Sequence, residues 1–130
     1  MNLDSVVAEL KFDAVGLIPT VAQEATTGEV LMVAYMNEDA VRETIETGFA
    51  TYYSRSRKTL WRKGETSGNR QRLIGLYVNE YGDSLLLKVE QIGGAACHLG
   101  YKSCFHRQLM VGEWRVIAER VFDPDQVYGD

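Results

Sequence analysis

The chain has 130 residues, 14 Lys+Arg against 18 Asp+Glu for a formal charge of −4, and 45% hydrophobic residues. These are ordinary values for one folded domain spanning residues 1–130, and they exclude disordered and collagen-like chains, while two cysteines are too few for a disulfide scaffold. The longest plain apolar run, Val30 to Met36, has seven residues, far below the ~18 a membrane span needs, and the acidic start MNLDSVVAELKFD lacks the cations of a signal peptide. The pattern therefore predicts a cytoplasmic protein with no membrane partner.

Leu3, Val6, Val7 and Leu10 recur at helical spacing and predict a short amphipathic helix opened by Asp4 or Ser5. LIPTVAQ and EVLMVAYM, on either side of a TTGE turn at Gly28, predict a β-hairpin. In its second arm Met32, Tyr35 and Met36 suit either a pocket lining or, more simply, the core. Asn37 is placed to cap a second helix, with Glu38 and Asp39 in its first turn and Gly48 just past its end. ATYYS predicts a strand and Arg55 to Asn69 a long ordered loop. RQRLIGLYV and SLLLKVEQ predict two strands that reverse around Tyr81-Gly82-Asp83. After the Gly-rich stretch IGGAACHLGYKSC, FHRQLM and EWRVIAE predict a last hairpin turning at Gly112. About seven strands and two or three helices without βαβ alternation make an α+β domain rather than a doubly wound sheet.

Taken whole, a net charge of −4 speaks against a ligand held through phosphates. The charge is segregated, however. Arg55 to Arg72 holds seven of the cations and a single acid, Glu65, for a local charge of +6, which leaves −10 on the rest. In this segment Arg55, Arg57 and Lys63 offer cations, Ser54, Ser56 and Ser67 hydroxyls, Gly64 and Gly68 closely approachable backbone, and Trp61 a flat face for a base. A solvated basic loop has the same composition, and one short patch on an acidic chain does not make a nucleic-acid surface.

Cys97, His98, Cys104 and His106 crowd within ten residues. Adjacent residues on an extended chain point to opposite faces, so a Cys97–Cys104 metal pair with His98 left as an acid/base group is the easier geometry. Two thiolates do not complete a zinc site, and two inert buried cysteines have the same spacing. The turn Asn79-Glu80-Tyr81-Gly82-Asp83 carries two carboxylates, which is also ordinary turn chemistry.

GLIPTVAQ, TGEVLMVAYMNEDA, YYSRSRKTLWRKGETSGN, LLLKVEQIGGAACHLGYKSCF and DPDQVY together resemble the phosphoribosyl-AMP cyclohydrolases of histidine biosynthesis, from about Phe12 to Tyr128. The resemblance implies a β-rich, half-barrel or roll-like α+β fold and an obligate homodimer with active sites at the subunit interface. It also implies a metal-dependent hydrolase that adds water across the N1–C6 bond of an N1-substituted adenine nucleotide. Cys97 and Cys104 would then be zinc ligands, His98 the acid/base group, and Ser54 to Gly68 the segment that takes phosphates and base. One turn departs from the family, which usually reads Asp-Cys-Asp-x-Asp where this chain has Asn79-Glu80-Tyr81-Gly82-Asp83. The third zinc cysteine becomes Glu80, and of three magnesium aspartates only Asp83 remains, a poor site for a hard dication. Glu80, or His106 where the family commonly has Tyr, could replace the missing thiolate in a harder zinc site. Two other readings stay open: a paralogue with altered metal use acting on another purine nucleotide, and a non-catalytic nucleotide-binding protein.

Overall fold

A computed structural model describes residues 2–128. The first helix, α1 (Leu3–Ala8), opens two residues earlier than the spacing suggests. Asn2 caps it, its side-chain oxygen accepting the Asp4 and Ser5 N–H groups at 3.0 and 3.3 Å, and Asp4 falls in the first turn instead. The predicted hairpin forms as β1 (Ile18–Glu24) and β2 (Val30–Met36), which pair antiparallel. Asn37 does cap α2 (Glu38–Thr47), accepting the Ala40 N–H at 2.8 Å, and Gly48 ends it in the left-handed conformation.

The expected long loop is not all loop. β3 (Thr51–Ser54) turns back on β4 (Thr59–Arg62), which pairs with it residue for residue from Thr51↔Arg62 to Ser54↔Thr59. With the adjacent Leu60 and Trp61 between the polar Thr59 and Arg62, β4 has no period-2 alternation to register in sequence. β5 (Gln71–Val78) and β6 (Leu85–Gln91) follow as predicted, then β7 (Arg107–Met110), β8 (Glu113–Val116) and a short α3 (Pro124–Tyr128). The described residues thus hold eight strands and three α-helices, an α+β arrangement that is mostly sheet.

The main sheet has the order β2-β1-β6-β5, with β1 and β6 parallel at its centre and antiparallel partners on both sides. Leu85, Leu87 and Val89 of β6 are buried at alternate positions, as are Ile18, Thr20 and Ala22 of β1. Ala40 and Val41 of α2, Leu31, Met32 and Met36 of β2, and Tyr52 of β3 complete the core. Core packing therefore accounts for Met32 and Met36. Each large side chain buried here contributes about 1.5–3 kcal/mol.

A chain of buried hydrogen bonds runs beneath the surface that matters for function. The Tyr52 hydroxyl donates to Gln71 Oε1 at 2.6 Å, Gln71 Nε2 donates to Gln91 Oε1 at 2.9 Å, and Gln91 Nε2 donates to the Asn69 carbonyl at 3.0 Å. Burial pushes the Tyr52 phenol far up, so it stays a donor. The network fastens β3, β5, β6 and the end of the basic segment into one unit. Among the described residues no helix is long and apolar enough to cross a membrane.

Candidate active site

The basic segment folds as a rigid ledge rather than a free loop. The Ser54 hydroxyl accepts the Arg57 N–H at 3.2 Å, and Gly68 N–H bonds the Gly64 carbonyl at 2.8 Å. Gly64 has φ 83, and a Cβ there would drive into the Arg70 backbone, so only glycine lets the ledge close on itself. Lys63 is buried and turns inward, its ammonium donating to the Ala96 carbonyl. That bond joins the ledge to the cysteine-bearing loop, 33 residues further along the chain.

The second loop is equally tight. Cys97 N–H bonds the Tyr101 carbonyl at 3.0 Å and Gly100 N–H the Cys97 carbonyl at 2.9 Å, which leaves His98 exposed at the tip. Cys104 N–H bonds the Leu31 carbonyl at 2.7 Å and Ser103 Oγ the Val30 carbonyl at 2.8 Å, so the far side of the loop is fixed to β2. Lys102 reinforces this with ion pairs to Glu24 at 2.8 Å and Glu29 at 3.0 Å.

Between ledge and loop lies a cleft of about 730 Å³. It brings together Ser54, Ser56, Arg57, Trp61, Lys63, Gly64, Glu65 and Ser67 with His98, nine of the residues singled out by sequence. Arg55 is not in its lining, because its guanidinium sits 4.2 Å over the Tyr35 ring, and Gly68 also lies outside. Thr59, Leu60, Arg62 and Thr66 of the Ser54–Gly68 segment line it too, and outside that segment so do Leu99, Pro124, Asp125 and Tyr128, none of which the sequence singles out as site residues. The terminal DPDQVY motif was the available signal for the last three.

Cys97 and Cys104 come within hydrogen-bonding reach of each other behind His98, the first buried and the second at the surface. Burial, together with the neighbouring Cys97, pushes the Cys104 thiol up, and the Lys63 ammonium opposes that shift. The Lys63 ammonium is itself held below its ordinary range by burial, an effect that the nearby Cys104 and Cys97 oppose. Lys63 and the cysteine pair therefore influence one another's charge where the ledge meets the loop.

The remaining predicted ligands lie elsewhere. His106 stacks on Tyr101 with ring centroids 3.8 Å apart, and its Nδ1 is 3.1 Å from the Ser103 carbonyl. Glu80 and Asp83 sit in the β5–β6 turn, and the cysteine loop follows the opposite end of β6, a strand's length of roughly 20 Å away. In that turn Asn79 Nδ2 donates to Asp83 Oδ1 at 2.6 Å, and Asn79 Oδ1 accepts the Asp83 and Ser84 N–H groups at 2.9 and 3.1 Å. Among the described residues no three of His, Cys, Asp and Glu come together as a metal-binding group.

The phosphoribosyl-AMP cyclohydrolase family model matches residues 32–106, a span that includes both ledge and cysteine loop. The chain is similar to the phosphoribosyl-AMP cyclohydrolase of Desulforapulum autotrophicum, with 57% identity over 92% of this chain and 98% of the relative. The protein of that name from Desulfatibacillum aliphaticivorans is 54% identical over 92% and 97% of the two chains. The one from Nitrosomonas europaea is 50% identical over 92% of each.

Proposed function

The chain belongs to the phosphoribosyl-AMP cyclohydrolase family, and on that premise we propose that it opens the adenine ring of phosphoribosyl-AMP by adding water across N1–C6 in histidine biosynthesis. The observation that carries the reading is the shared cleft. It sets the cationic ledge of Ser54 to Ser67 opposite the exposed imidazole of His98.

The roles follow from charge and position. Arg57, with the hydroxyls of Ser54, Ser56 and Ser67, binds the phosphates. Trp61 offers its face to the base. Departure of N1 requires a proton, and His98 at the tip of its turn delivers it.

Cys97 and Cys104 fit a thiophilic ion such as zinc, since two soft donors already adjoin each other in one chain. When bound there, zinc supplies a hydroxide at neutral pH for attack on an electrophilic carbon. The third donor has to come from outside this pair. Glu80 of a second subunit suits the position better than His106, because its negative charge balances the buried Lys63 ammonium. Magnesium does not fit the 79–83 turn, where Asp83 already accepts the Asn79 amide. A homodimer, the arrangement that would bring Glu80 across, is supported by the two-stranded β7–β8 ribbon, which exposes Leu109, Trp114 and Val116.

Spectroscopic turnover of phosphoribosyl-AMP, with and without added zinc, tests the reading. Metal-stimulated catalysis supports it, and tight nucleotide binding without turnover favours a regulatory protein instead. Cys104→Ser should remove bound zinc and reduce kcat on the order of a thousandfold. Zinc content that is unchanged in both Glu80→Ala and His106→Ala would exclude either residue as the third donor.

A further inference from the structure

We propose that the C-terminal helix α3 forms the base-recognising wall of the cleft, with Asp125 pairing the positive charge of an N1-substituted adenine ring and Tyr128 packing on its face. This rests on the cyclohydrolase reading above and extends it to residues outside the basic ledge and the cysteine loop.

The placement of α3 is built in. Gly100 has φ 97, and a Cβ there would strike the Phe122 carbonyl, so a glycine is required for the chain to pass this close. The Gly100 carbonyl accepts the Val121 N–H at 2.6 Å, which straps the C-terminal segment to the turn that carries His98. Asp123 then starts the helix, its side chain accepting the Asp125 N–H at 3.0 Å and its carbonyl the Gln126 N–H at 3.0 Å. Phe122 packs against Tyr128, with ring centroids 6.1 Å apart. Asp125 and Tyr128 are three residues apart on a helix and so share a face, and both line the cleft.

The chemistry of the two walls is opposite. On the ledge Arg57 stands without a carboxylate partner among the described residues, beside Glu65 and an Arg62 that pairs with Glu43 at 2.7 Å, whereas α3 presents a carboxylate and a phenol ring. The Asp125 carboxylate makes no ion pair among the described residues. Phosphates explain the first wall but would be repelled by the second. Substitution at N1 makes the adenine ring a strongly basic amidine, protonated near neutral pH, with its charge spread over N1, C6 and the exocyclic nitrogen. A delocalised cation is what a carboxylate beside an aromatic face selects. The protonated ring is also the form whose C6 is open to attack by water, so the wall that recognises the cation holds the reactive species.

The test uses AMP, whose base is neutral at pH 7, and 1-methyl-AMP, whose base is cationic, titrated calorimetrically into the full-length protein. The wild type should bind 1-methyl-AMP about tenfold more tightly than AMP. Asp125→Asn should erase that preference and leave AMP affinity unchanged. Tyr128→Ala should weaken both nucleotides, and Tyr128→Phe neither. Because Asp125 is exposed, its amide variant should melt with the wild type. Retention of the preference in Asp125→Asn, or an equal loss for both nucleotides, overturns the proposal while phosphoribosyl-AMP turnover by the wild type leaves the cyclohydrolase reading standing. A folded wild type that binds neither nucleotide and turns over no substrate overturns both.

Discussion

The Ser54–Ser67 ledge and the Asn79–Asp83 turn are both polar connections at strand ends, and they dispose of their polar groups in opposite ways. On the ledge Arg57 and Lys58 have no carboxylate partner among the described residues, although Arg42, Arg62, Arg72, Lys102 and Arg115 all have one. The hydroxyls of Ser54, Ser56 and Ser67 and the Arg57 side chain line a cleft. In the turn Asn79 alone satisfies the Asp83 and Ser84 N–H groups and donates to the Asp83 carboxylate, so Asp83 is committed to the turn and Glu80 is the carboxylate left for a ligand. Charged residues in a loop are thus informative only once their partners are known. An unpaired cation in a rigid, concave setting is held for something, while a paired carboxylate in a turn is holding the turn.

Four measurements can break or sharpen that contrast. The largest effect is expected across from the ledge: His98→Ala should lower kcat by about 10²–10⁴-fold with little change in nucleotide affinity. A near-normal kcat would remove the imidazole from the proton transfer and leave the ledge facing a mere wall. On the ledge, Arg57→Ala should raise KM by about tenfold or more while kcat holds, since a charge-assisted phosphate contact acts in ground and transition states alike. In the turn, Asn79→Ala should cost about 1–2 kcal/mol of stability and leave KM unchanged, which thermal melting and steady-state kinetics can separate. A raised KM in that variant would mean the turn reaches the nucleotide after all.

The smallest effect concerns pH. Glu24 has its pKa lowered chiefly by the hydrogen bond from Lys102, with Thr27 adding to it, and this pair anchors the loop that carries the cysteines. A carboxyl held low when folded contributes stability above its unfolded pKa and loses that contribution as pH falls through the folded value. This pair's contribution, about 0.5 kcal/mol, should therefore hold from neutrality to about pH 4.5 and be lost below it. Glu24→Gln should reduce that part of the acid loss, as read from urea midpoints between pH 3 and 6.

Much of the architecture was legible because short-range chemistry wrote it. Asn37 and Gly48 bracket α2, Gly28 turns the first hairpin, and β6 alternates buried positions with half-buried or exposed ones as a pleated strand must. The errors occur where that signal is thin. Asn2 rather than Asp4 caps α1 because all three residue types cap equally well and only the chain's path selects one. β4 reads as loop in sequence since four residues, two of them polar, show no period until they pair with β3. The site divides in the same way. Ser54 to Ser67 and His98 are visible as charge segregation and as a Cys-His cluster, whereas Asp125 and Tyr128 are marked only by the terminal DPDQVY motif, and nothing local shows that it folds onto the cleft.

By itself the sequence determined the chemistry present: a +6 segment inside an acidic chain, two thiols beside a histidine, and a turn carrying Glu80 and Asp83. These depend on residue type and local spacing, which a linear string contains in full. Only the tertiary structure decided who meets whom. It buried Lys63 against the Ala96 carbonyl beside the cysteines, kept Glu80 a strand's length from them, and strapped α3 to Gly100 opposite the ledge. Such juxtapositions join residues tens of positions apart, and they are set by the packing of the sheet and its loops rather than by any local preference.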